Sequence, residues 1–413
     1  MKENILKFIH CSDLHIDSII NIKNSNFLIN DLSNTNLKVF KKIAETAVNE
    51  KVDFILISGD VFDNAYLSVK SKNEFSNILN ILNENSIKVY ISFSKNDNYS
   101  FWKNFIKIPP NVHIFSSEKI DKIEFLKDEN KICNIYGKSE CSENDILDTP
   151  INNEKQYFSI GLFHFNLEES NKKNVEIINR MKFKKIDYWA LGSKHSKEIL
   201  SLTPHIIYPG IIQGRNFFEN NTKGFYIVEI DKNYEINLKF EKSQILNFSE
   251  IVIDTTELKS NQDLCSLINE KIDALKEKYT EHLAINILLT GKTNLYYLFE
   301  EKYINKITKE IREYHNYSDR IIIIENLTLN IKPNTDFETR KKTNDFTSRY
   351  LKEMEKILEE NPVENIVKIL KFEDEYFRTK KVFDSLSEEE IMELFFNSAY
   401  EGYSTLEGEK KWK

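Results

Sequence analysis

The sequence predicts a layered α/β fold, because apolar strand-like runs alternate with amphipathic helix-like segments near its start. Strand-like runs rich in branched apolar residues occupy Asp53–Ser58 and Lys88–Phe93. Helical periodicity marks Lys38–Glu50 and Lys70–Asn83. The first helix carries an apolar stripe at helical spacing, formed by Val39, Phe40, Ile43, Ala44 and Ala47. This βα rhythm is typical of a sheet that is covered by helices.

The other strands of this first domain are predicted from short apolar runs. Ile5–His10 reads as a buried strand at the start of the chain, and three later runs follow at Phe158–Phe163, Tyr188–Leu191 and Gly224–Ile230. We expect the first domain, residues 1–240, to close after the last of these.

A second, smaller α/β domain is predicted over residues 241–332. Its expected order is strand, helix, strand, helix, strand, at Ile251–Asp254, Leu264–Lys278, Ala284–Leu289, Leu295–His315 and Arg320–Leu329.

Residues 333–413 are expected to form a helical C-terminal region. One predicted helix face there consists of Phe346, Tyr350, Met354, Ile357 and Leu358. A break is expected at Asn361-Pro362, and another apolar helix at Ile391–Phe396.

Composition indicates a soluble globular protein. The chain has 413 residues, of which 40% are hydrophobic and 30% are charged, and no apolar run approaches the length of a membrane span. The first residues, Met1-Lys2-Glu3-Asn4, lack the apolar core of a signal peptide, so we expect a cytoplasmic protein without a membrane partner. The four cysteines, Cys11, Cys133, Cys141 and Cys265, lie far apart, which suits reduced thiols and excludes a zinc ribbon.

The net charge of −8 argues against a protein that coats nucleic acid by bulk attraction, so any DNA footprint must be local. Candidate basic residues are Lys182, Lys184, Lys185 and Lys194 near the polar loops, and Arg340–Lys342 at the start of the C-terminal region. A solvated surface explains these lysines and arginines equally well.

Five short polar motifs end predicted strands. They are Asp13-Leu14-His15, Gly59-Asp60-Val61-Phe62-Asp63, Ser94-Lys95-Asn96-Asp97, His164 and Gly192-Ser193-Lys194-His195. Asp and His two residues apart in an extended segment project to the same side and can reach one divalent cation. Open α/β sheets place their ligands at strand ends of this kind, so the motifs predict a metal site.

The order of these motifs resembles that of the calcineurin-like metallophosphoesterases, D-x-H, GDxxD, GNHD, a lone His and GHxH. The chain resembles more closely the SbcD-type and YhaO-type DNA nuclease subunits, through Asp187-Tyr188-Trp189-Ala190-Leu191-Gly192 and Tyr208-Pro209-Gly210-Ile211-Ile212-Gln213-Gly214-Arg215. The resemblance implies an αββα metallophosphoesterase sandwich with a small capping domain and a helical C-terminal region.

The resemblance implies that Asp13, His15, Asp60 and His195 hold one Mn²⁺ or similar ion. Asp60 would bridge to a second ion, for which His164 is the remaining ligand. At the other second-metal positions the family's Asn and His correspond to Lys95 and Ser193, and its catalytic His corresponds to Asn96.

These replacements predict an impaired site. A charged lysine has no lone pair for a cation, and a serine hydroxyl is a weak neutral donor to a metal. Asn96 does not titrate near neutral pH, and a missing general acid costs ~10²–10⁴ in rate. Shifting the alignment by one place would make Asn96 the metal ligand, but Asp97 would then lose its match.

Two interpretations of the site remain open. One is a slow nuclease with a single metal ion, in which Lys95 either supplies positive charge near Asp60 or binds a phosphate. The other is a non-catalytic scaffold that still binds an ion, a DNA end or a partner. A small-molecule phosphatase or a cyclic-nucleotide phosphodiesterase is disfavoured by the YPGxxQGR-like segment and by the predicted cap.

The resemblance also implies partners. The family's substrate is DNA, at ends that include single strands, its capping domain helps to select the DNA, and its C-terminal helices dock on the coiled coil of an SMC-like ATPase. The alternative for those helices is to fold back on their own domain. The sequence does not decide whether the chain forms a homodimer.

Three further residues near the motifs have expected roles. We expect Asp63 and Asp97 to orient loops or ligands, and Arg215 either to contact phosphate or to form an ion pair.

Overall fold

The computed structural model divides the chain into two compact units. It describes residues 4–20, 22, 32, 34–63, 68–97, 107–148, 156–167, 172–293, 301–315, 320–334, 336–359, 361–370 and 385–410. The first unit is Met1–Ser249 with Glu281–Ala284, and the second is Glu250–Thr280 with Ile285–Lys413. The division into residues 1–240, 241–332 and 333–413 stays a prediction.

The described strands and helices overlap the predicted ones, with ends that differ by a few residues, and include further elements that were not predicted. The strands are β1 Asn4–Ser12, β2 Phe54–Ser58, β3 Lys88–Ser92, β4 Val112–Ile114, β5 Asp121–Lys127, β6 Asn130–Gly137, β7 Phe158–His164, β8 Tyr188–Gly192, β9 Glu198–Leu202, β10 His205–Tyr208, β11 Gly224–Asp231, β12 Ile236–Lys242, β13 Leu246–Asp254, β14 His282–Thr293 and β15 Ile322–Pro333. The helices are α1 Thr35–Asn49, α2 Val69–Glu84, α3 Glu143–Asp148, α4 Lys172–Phe183, α5 Asn261–Lys278, α6 Glu301–His315, α7 Phe337–Lys341, α8 Phe346–Leu358, α9 Pro362–Leu370 and α10 Glu388–Lys410.

The first unit contains two sheets of six described strands each. Their orders are β12-β11-β1-β2-β3-β4 and β5-β6-β7-β8-β10-β9. Strands β1 to β4 run parallel to one another, as do β6, β7, β8 and β10, whereas the pairs β1–β11, β5–β6 and β9–β10 are antiparallel. The carboxyl ends of β1, β2 and β3 therefore share one edge of the first sheet, and those of β7 and β8 share one edge of the second.

Alternation along β1 explains why the two sheets stack with helices outside. Phe8 lies in the core between the sheets, where its ring stacks on Phe54 at 5.1 Å and meets Tyr188 edge-on at 5.3 Å. Ile9 and Cys11 point the other way, into the core formed with α1 and α2. A third core lies between the second sheet and α3 and α4. The layers are helix, sheet, sheet, helix, which confirms the predicted αββα fold class.

The second unit combines the three-stranded sheet β13-β14-β15 with helices. Part of the predicted helix Leu295–His315 lies outside the described residues, and α6 covers the remainder. The C-terminal helices pack on one another, since Tyr350 of α8 donates to the carbonyl of Ala399 in α10 at 3.2 Å. Phe346, on the predicted apolar face, is 70% exposed. Among the described helices, none has the length and apolar character to cross a bilayer.

A buried polar network ties the two sheets together just before the motif loops. His10 on β1 is fully buried and contacts the hydroxyl of Tyr188 through Nδ1 at 3.0 Å and that of Ser58 through Nε2 at 3.2 Å. Burial disfavours the charged imidazole and lowers the pKa of His10 to about 3.

This network predicts a loss of stability in mild acid. The pKa of His10 is about 3 in the folded state and about 6.5 when unfolded, so the unfolded state binds more protons below pH 6.5 and stability falls as the pH falls. Between pH 6.5 and 5 this linkage costs about 1–2 kcal/mol. Urea unfolding followed by circular dichroism should show this loss in the wild type and a smaller one in His10→Gln. If the wild type and His10→Gln lose the same free energy of unfolding, His10 is not the source of the loss.

Candidate metal centre

The loops after β1 and β2 are held side by side by backbone hydrogen bonds that continue the pairing of these strands. The amide of Asp13 donates to the carbonyl of Gly59 at 3.1 Å, and the amide of His15 donates to that of Asp60 at 2.9 Å. The first two motifs therefore lie in register at the strand ends, as their positions in the sequence predict.

Two glycines let the second sheet approach these loops. A Cβ on Gly192 would lie 1.8 Å from the carbonyl oxygen of Ser58, and one on Gly59 would lie 2.3 Å from a ring carbon of His164. The absence of these two Cβ atoms brings the ends of β7 and β8 against the end of β2.

Four motif residues adopt left-handed backbone conformations. The φ angles are 51° at Asp13, 44° at His15, 41° at Asp60 and 95° at Ser193. Non-glycine residues in this region are uncommon and cluster at functional sites. These four residues lie in the three loops that follow β1, β2 and β8.

Two groups of side chains in the described residues can hold a metal ion, and Asp13 belongs to both. Asp13, His15 and His195 form the first group, and Asp13, Asp60 and His164 form the second. Within each group the ligand atoms lie within 4.8 Å of one another. All five predicted ligands are thus brought together, with Asp13 rather than Asp60 common to both groups.

His15 and His195 are oriented by carboxylates. His15 Nδ1 lies 2.8 Å from Asp63 Oδ1, and His195 Nδ1 lies 2.8 Å from Glu219 Oε1. A proton on each Nδ1 leaves the Nε2 lone pair available to a metal ion. His15 Nε2 is buried and has no hydrogen-bond partner among the described residues, which fits a group that ligates an ion.

The orienting carboxylates are held ionised. The hydrogen bond from His15 and the charges of His15 and Arg215 lower the pKa of Asp63 despite partial burial. Burial raises the pKa of Glu219, but hydrogen bonds from His195 and Arg215 outweigh it and hold this pKa well below its usual range. Glu219 was not predicted, because it lies in the short 3₁₀ helix Phe217–Glu219, outside every recognised motif.

His164 lies among carboxylates at the second group. Its Nε2 is 3.1 Å from Asp13 Oδ1 and 3.7 Å from Asp60 Oδ2. Burial alone lowers the pKa of His164, but the hydrogen bond and charge of Asp13, with the charges of Asp60 and Asp97, raise it. The carboxylates around His164 therefore favour a positively charged group at this position. Ser193 contributes its backbone, whose amide donates to both carboxylate oxygens of Asp13 at 3.1 and 3.0 Å.

The third motif differs from the expectation for Lys95. Asp60 Oδ1 accepts hydrogen bonds from the hydroxyl of Ser94 and from the side-chain amide of Asn96, the latter at 3.3 Å. Lys95 is exposed and forms no ion pair with a described residue, so the predicted pairing of its ammonium with Asp60 is not formed. A turn spans residues 95–96, where both Lys95 and Asn96 are exposed, and the contacts with Asp60 Oδ1 are made by Ser94 and Asn96.

Asp97 fixes this loop to the second motif. Its Oδ1 accepts from the amides of Val61 and Phe62 at 2.7 and 3.2 Å, and its Oδ2 accepts from that of Ser94 at 2.8 Å. Burial raises its pKa to about 6, with a smaller contribution from the charge of Asp60. Asp97 therefore orients loops, as expected from the sequence.

A buried lysine supports the last motif. Lys223 is 3% exposed and donates to the carbonyl of His195 at 3.0 Å and to the side chain of Asn221. Burial lowers the pKa of Lys223 to about 8. Lys223 was not predicted, because a lone lysine before a strand is ordinarily a surface residue.

Together, the αββα sandwich and the Asp and His groups at its strand ends are those of a metallophosphoesterase. A family model for calcineurin-like phosphoesterases matches residues 6–200. The uncharacterized metallophosphoesterase YhaO of Bacillus subtilis is 30% identical over 298 residues, which cover 69% of this chain and 72% of YhaO. The chain belongs to the calcineurin-like phosphoesterase family, whose members use divalent metal ions.

Two further proteins are similar to this chain at lower identity. The SbcD component of the nuclease SbcCD from Staphylococcus epidermidis is 22% identical over 376 residues, covering 83% of this chain and 91% of that component. The crystal structure of a dimetal phosphatase from Danio rerio aligns with a TM-score of 0.37 and 10% identity, over 58% of this chain and 97% of the phosphatase.

The close approach at Gly192 predicts a large effect of one methyl group. Gly192→Ala should destabilise the first unit by about 3 kcal/mol, the upper end of the typical cost of overpacking, because the backbone oxygen of Ser58 cannot move aside without separating the sheets. Urea unfolding measures this. Gly402→Ala is the control, since the nearest atom there is the movable hydroxyl of Tyr350, and its stability should change by less than about 1 kcal/mol. Similar effects of the two substitutions would contradict the role of Gly192.

Proposed function

We propose that this chain is a metal-dependent phosphodiesterase of the nuclease-subunit type, which acts slowly on DNA ends together with an SMC-like coiled-coil ATPase. The observation that carries the proposal is the convergence of both ligand groups on Asp13, next to the unpartnered Nε2 of His15. The similarity to a nuclease component over most of both chains supports DNA as the substrate. In this proposal residues 241–332 are the cap and residues 333–413 dock on the ATPase.

Asp13, His15, Asp60 and His195 would hold one Mn²⁺-like ion, since imidazole and carboxylate donors suit such a cation. When bound, this ion supplies Lewis-acid stabilisation of phosphate oxygens and lowers the pKa of water. The side chain of His195 is 38% exposed, whereas that of Asp13 is fully buried. The substrate would therefore approach from the side of His195.

Other residues near the site set what the chain can do to a phosphodiester. The amide of Asn96 can donate a hydrogen bond to a phosphate oxygen but cannot transfer a proton near neutral pH. The exposed Lys95 would contact a phosphate of the DNA backbone rather than Asp60. The loss of a titrating group at position 96 predicts a rate ~10²–10⁴ lower than that of a site with His there.

A second candidate function is a scaffold that binds an ion and a DNA end or partner without turnover. The observation in its favour is that Ser94 and Asn96 direct hydrogen-bond donors at Asp60, where a second cation would need acceptors. The experiments below separate this scaffold from a slow nuclease.

The first experiment measures Mn²⁺ binding and DNA cleavage in Asp60→Ala. We expect the wild type to bind Mn²⁺, as measured by mass spectrometry of metal content and by calorimetric titration, and to cleave linear DNA slowly when Mn²⁺ is present. Asp60→Ala should lose cleavage and weaken binding, because it removes a carboxylate from the ligand set.

The matched control is Asp53→Ala, which removes a carboxylate at the other end of the same strand. Asp53 accepts from the amide of Lys7 at 2.8 Å and pairs with Lys127. It should change stability without changing Mn²⁺ binding. Equal cleavage by the wild type and Asp60→Ala would dismiss the nuclease, and Mn²⁺ binding without any cleavage would favour the scaffold.

The second experiment restores the family's residues. Lys95→Asn, Asn96→His and Ser193→His together should raise the cleavage rate by ~10²–10⁴, since they return a titrating imidazole and two metal ligands. Cleavage of linear DNA at saturating Mn²⁺ measures this change. A variant with Gln at position 96 and the other two substitutions is the control, because Gln cannot transfer a proton. If the triple variant binds Mn²⁺ but cleaves linear DNA no faster than the wild type, the proposal that these three positions limit turnover is contradicted.

A further inference from the structure

The two histidines of the first ligand group are held by a shared ion cluster. The rings of His15 and His195 lie 5.2 Å apart between centroids, at 82° to each other. Each presents Nδ1 to a different carboxylate, Asp63 for His15 and Glu219 for His195, both at 2.8 Å. These carboxylates come from separate loops, after β2 and after β10.

Arg215 joins the two carboxylates. Its Nη1 lies 3.2 Å from Asp63 Oδ2, and its Nη2 lies 3.0 Å from Glu219 Oε1. The backbone amide of Arg215 also donates to Glu219 Oε2 at 2.8 Å. Arg215 Nη2 is 3.5 Å from His195 Nδ1, and the arginine side chain is only 17% exposed. The planar fork of the guanidinium matches two carboxylates at once, which a lysine ammonium cannot do.

This arrangement gives Arg215 a task other than contact with phosphate. Its guanidinium donors are directed at Asp63 and Glu219 rather than at solvent. Without a neighbouring cation these carboxylates would be two unpaired charges close to each other. Each would then be less firmly held, and so would the imidazole that depends on it.

We propose that Arg215 is a positioning residue that acts through Asp63 and Glu219 to lock His15 and His195 together in the tautomer with the proton on Nδ1. Both Nε2 lone pairs are thereby presented to one cation beside Asp13. The inference deepens the proposed function and rests on it for the identity of that cation. The orientation of the two imidazoles, however, is a property of the chain itself.

The first test reads the tautomers without any metal. Long-range ¹H–¹⁵N spectra of the metal-free full chain at pH 8 should show the Nδ1–H tautomer for both histidines in the wild type. Arg215→Met should shift both toward a mixture of tautomers, and Arg215→Lys should do so partly, because lysine keeps the charge but cannot span both carboxylates. Glu219→Gln should change His195 and leave His15 as in the wild type.

The second readout is Mn²⁺ affinity by calorimetric titration. Loss of a group that orients ligands typically weakens metal binding by ~10–100-fold, and we expect this for Arg215→Met. Arg340→Met is the matched control, because Arg340 is similarly buried and binds Asp345 through two nitrogens at 3.0 Å. It should leave tautomers and affinity unchanged.

The outcomes distinguish this inference from the proposed function. Unchanged tautomers of both histidines in folded Arg215→Met would overturn the positioning role. Should Arg215→Met fail to fold, Arg215→Lys and Glu219→Gln decide by the same spectra. A wild type that shows the predicted tautomers but binds no Mn²⁺ would overturn the metal function and leave the positioning role of Arg215 standing.

Discussion

The candidate site depends on how closely two sheets approach at the ends of their strands. Gly192 lies against the backbone of Ser58, and Gly59 lies against the ring of His164, in both cases at distances that leave no room for a Cβ. Side chains from β7 and β8 can therefore meet those that follow β1 and β2. Asp13 shows the result, because it receives a hydrogen bond from the amide of Ser193 and lies 3.1 Å from His164 Nε2.

Local backbone strain is the cost of this convergence. Asp13, His15, Asp60 and Ser193 all have positive φ angles, which typically cost of order 1–3 kcal/mol each. Backbone hydrogen bonds hold two of these residues in place, since the amides of Asp13 and His15 donate to the carbonyls of Gly59 and Asp60. The ligands are thus prearranged before any ion arrives, so less ordering is needed when one binds.

Local patterns in the sequence predicted a layered α/β fold and the motif loops, whereas the αββα arrangement of two sheets was implied by the family resemblance. Apolar runs predicted β2 and β3, and the apolar helical stripe predicted α1. The order of the motifs predicted which strand ends lie close together. The hairpin of β5 and β6 was not predicted, because its turn is built from Asp128 and Glu129 at φ angles of 50° and 66° rather than from glycine. Glu219 and Lys223 were missed because their roles arise only from contacts across the fold.

The direction of Lys95 could not be read from the sequence either. The alignment with the family motif placed Lys95 at a ligand position. The direction of a side chain in a tight turn, however, depends on which neighbouring residues find partners, and here Ser94 and Asn96 make the contacts with Asp60.

The two ligand groups differ in the residues that surround them. Around His15 and His195 each imidazole is backed by a carboxylate, and both carboxylates are held by Arg215. Around Asp60 the third loop offers hydrogen-bond donors instead of lone pairs. The hydrogen bonds that orient metal ligands are therefore concentrated in the first group, around His15 and His195. We expect the chain to bind one ion there more tightly than a second ion at Asp60.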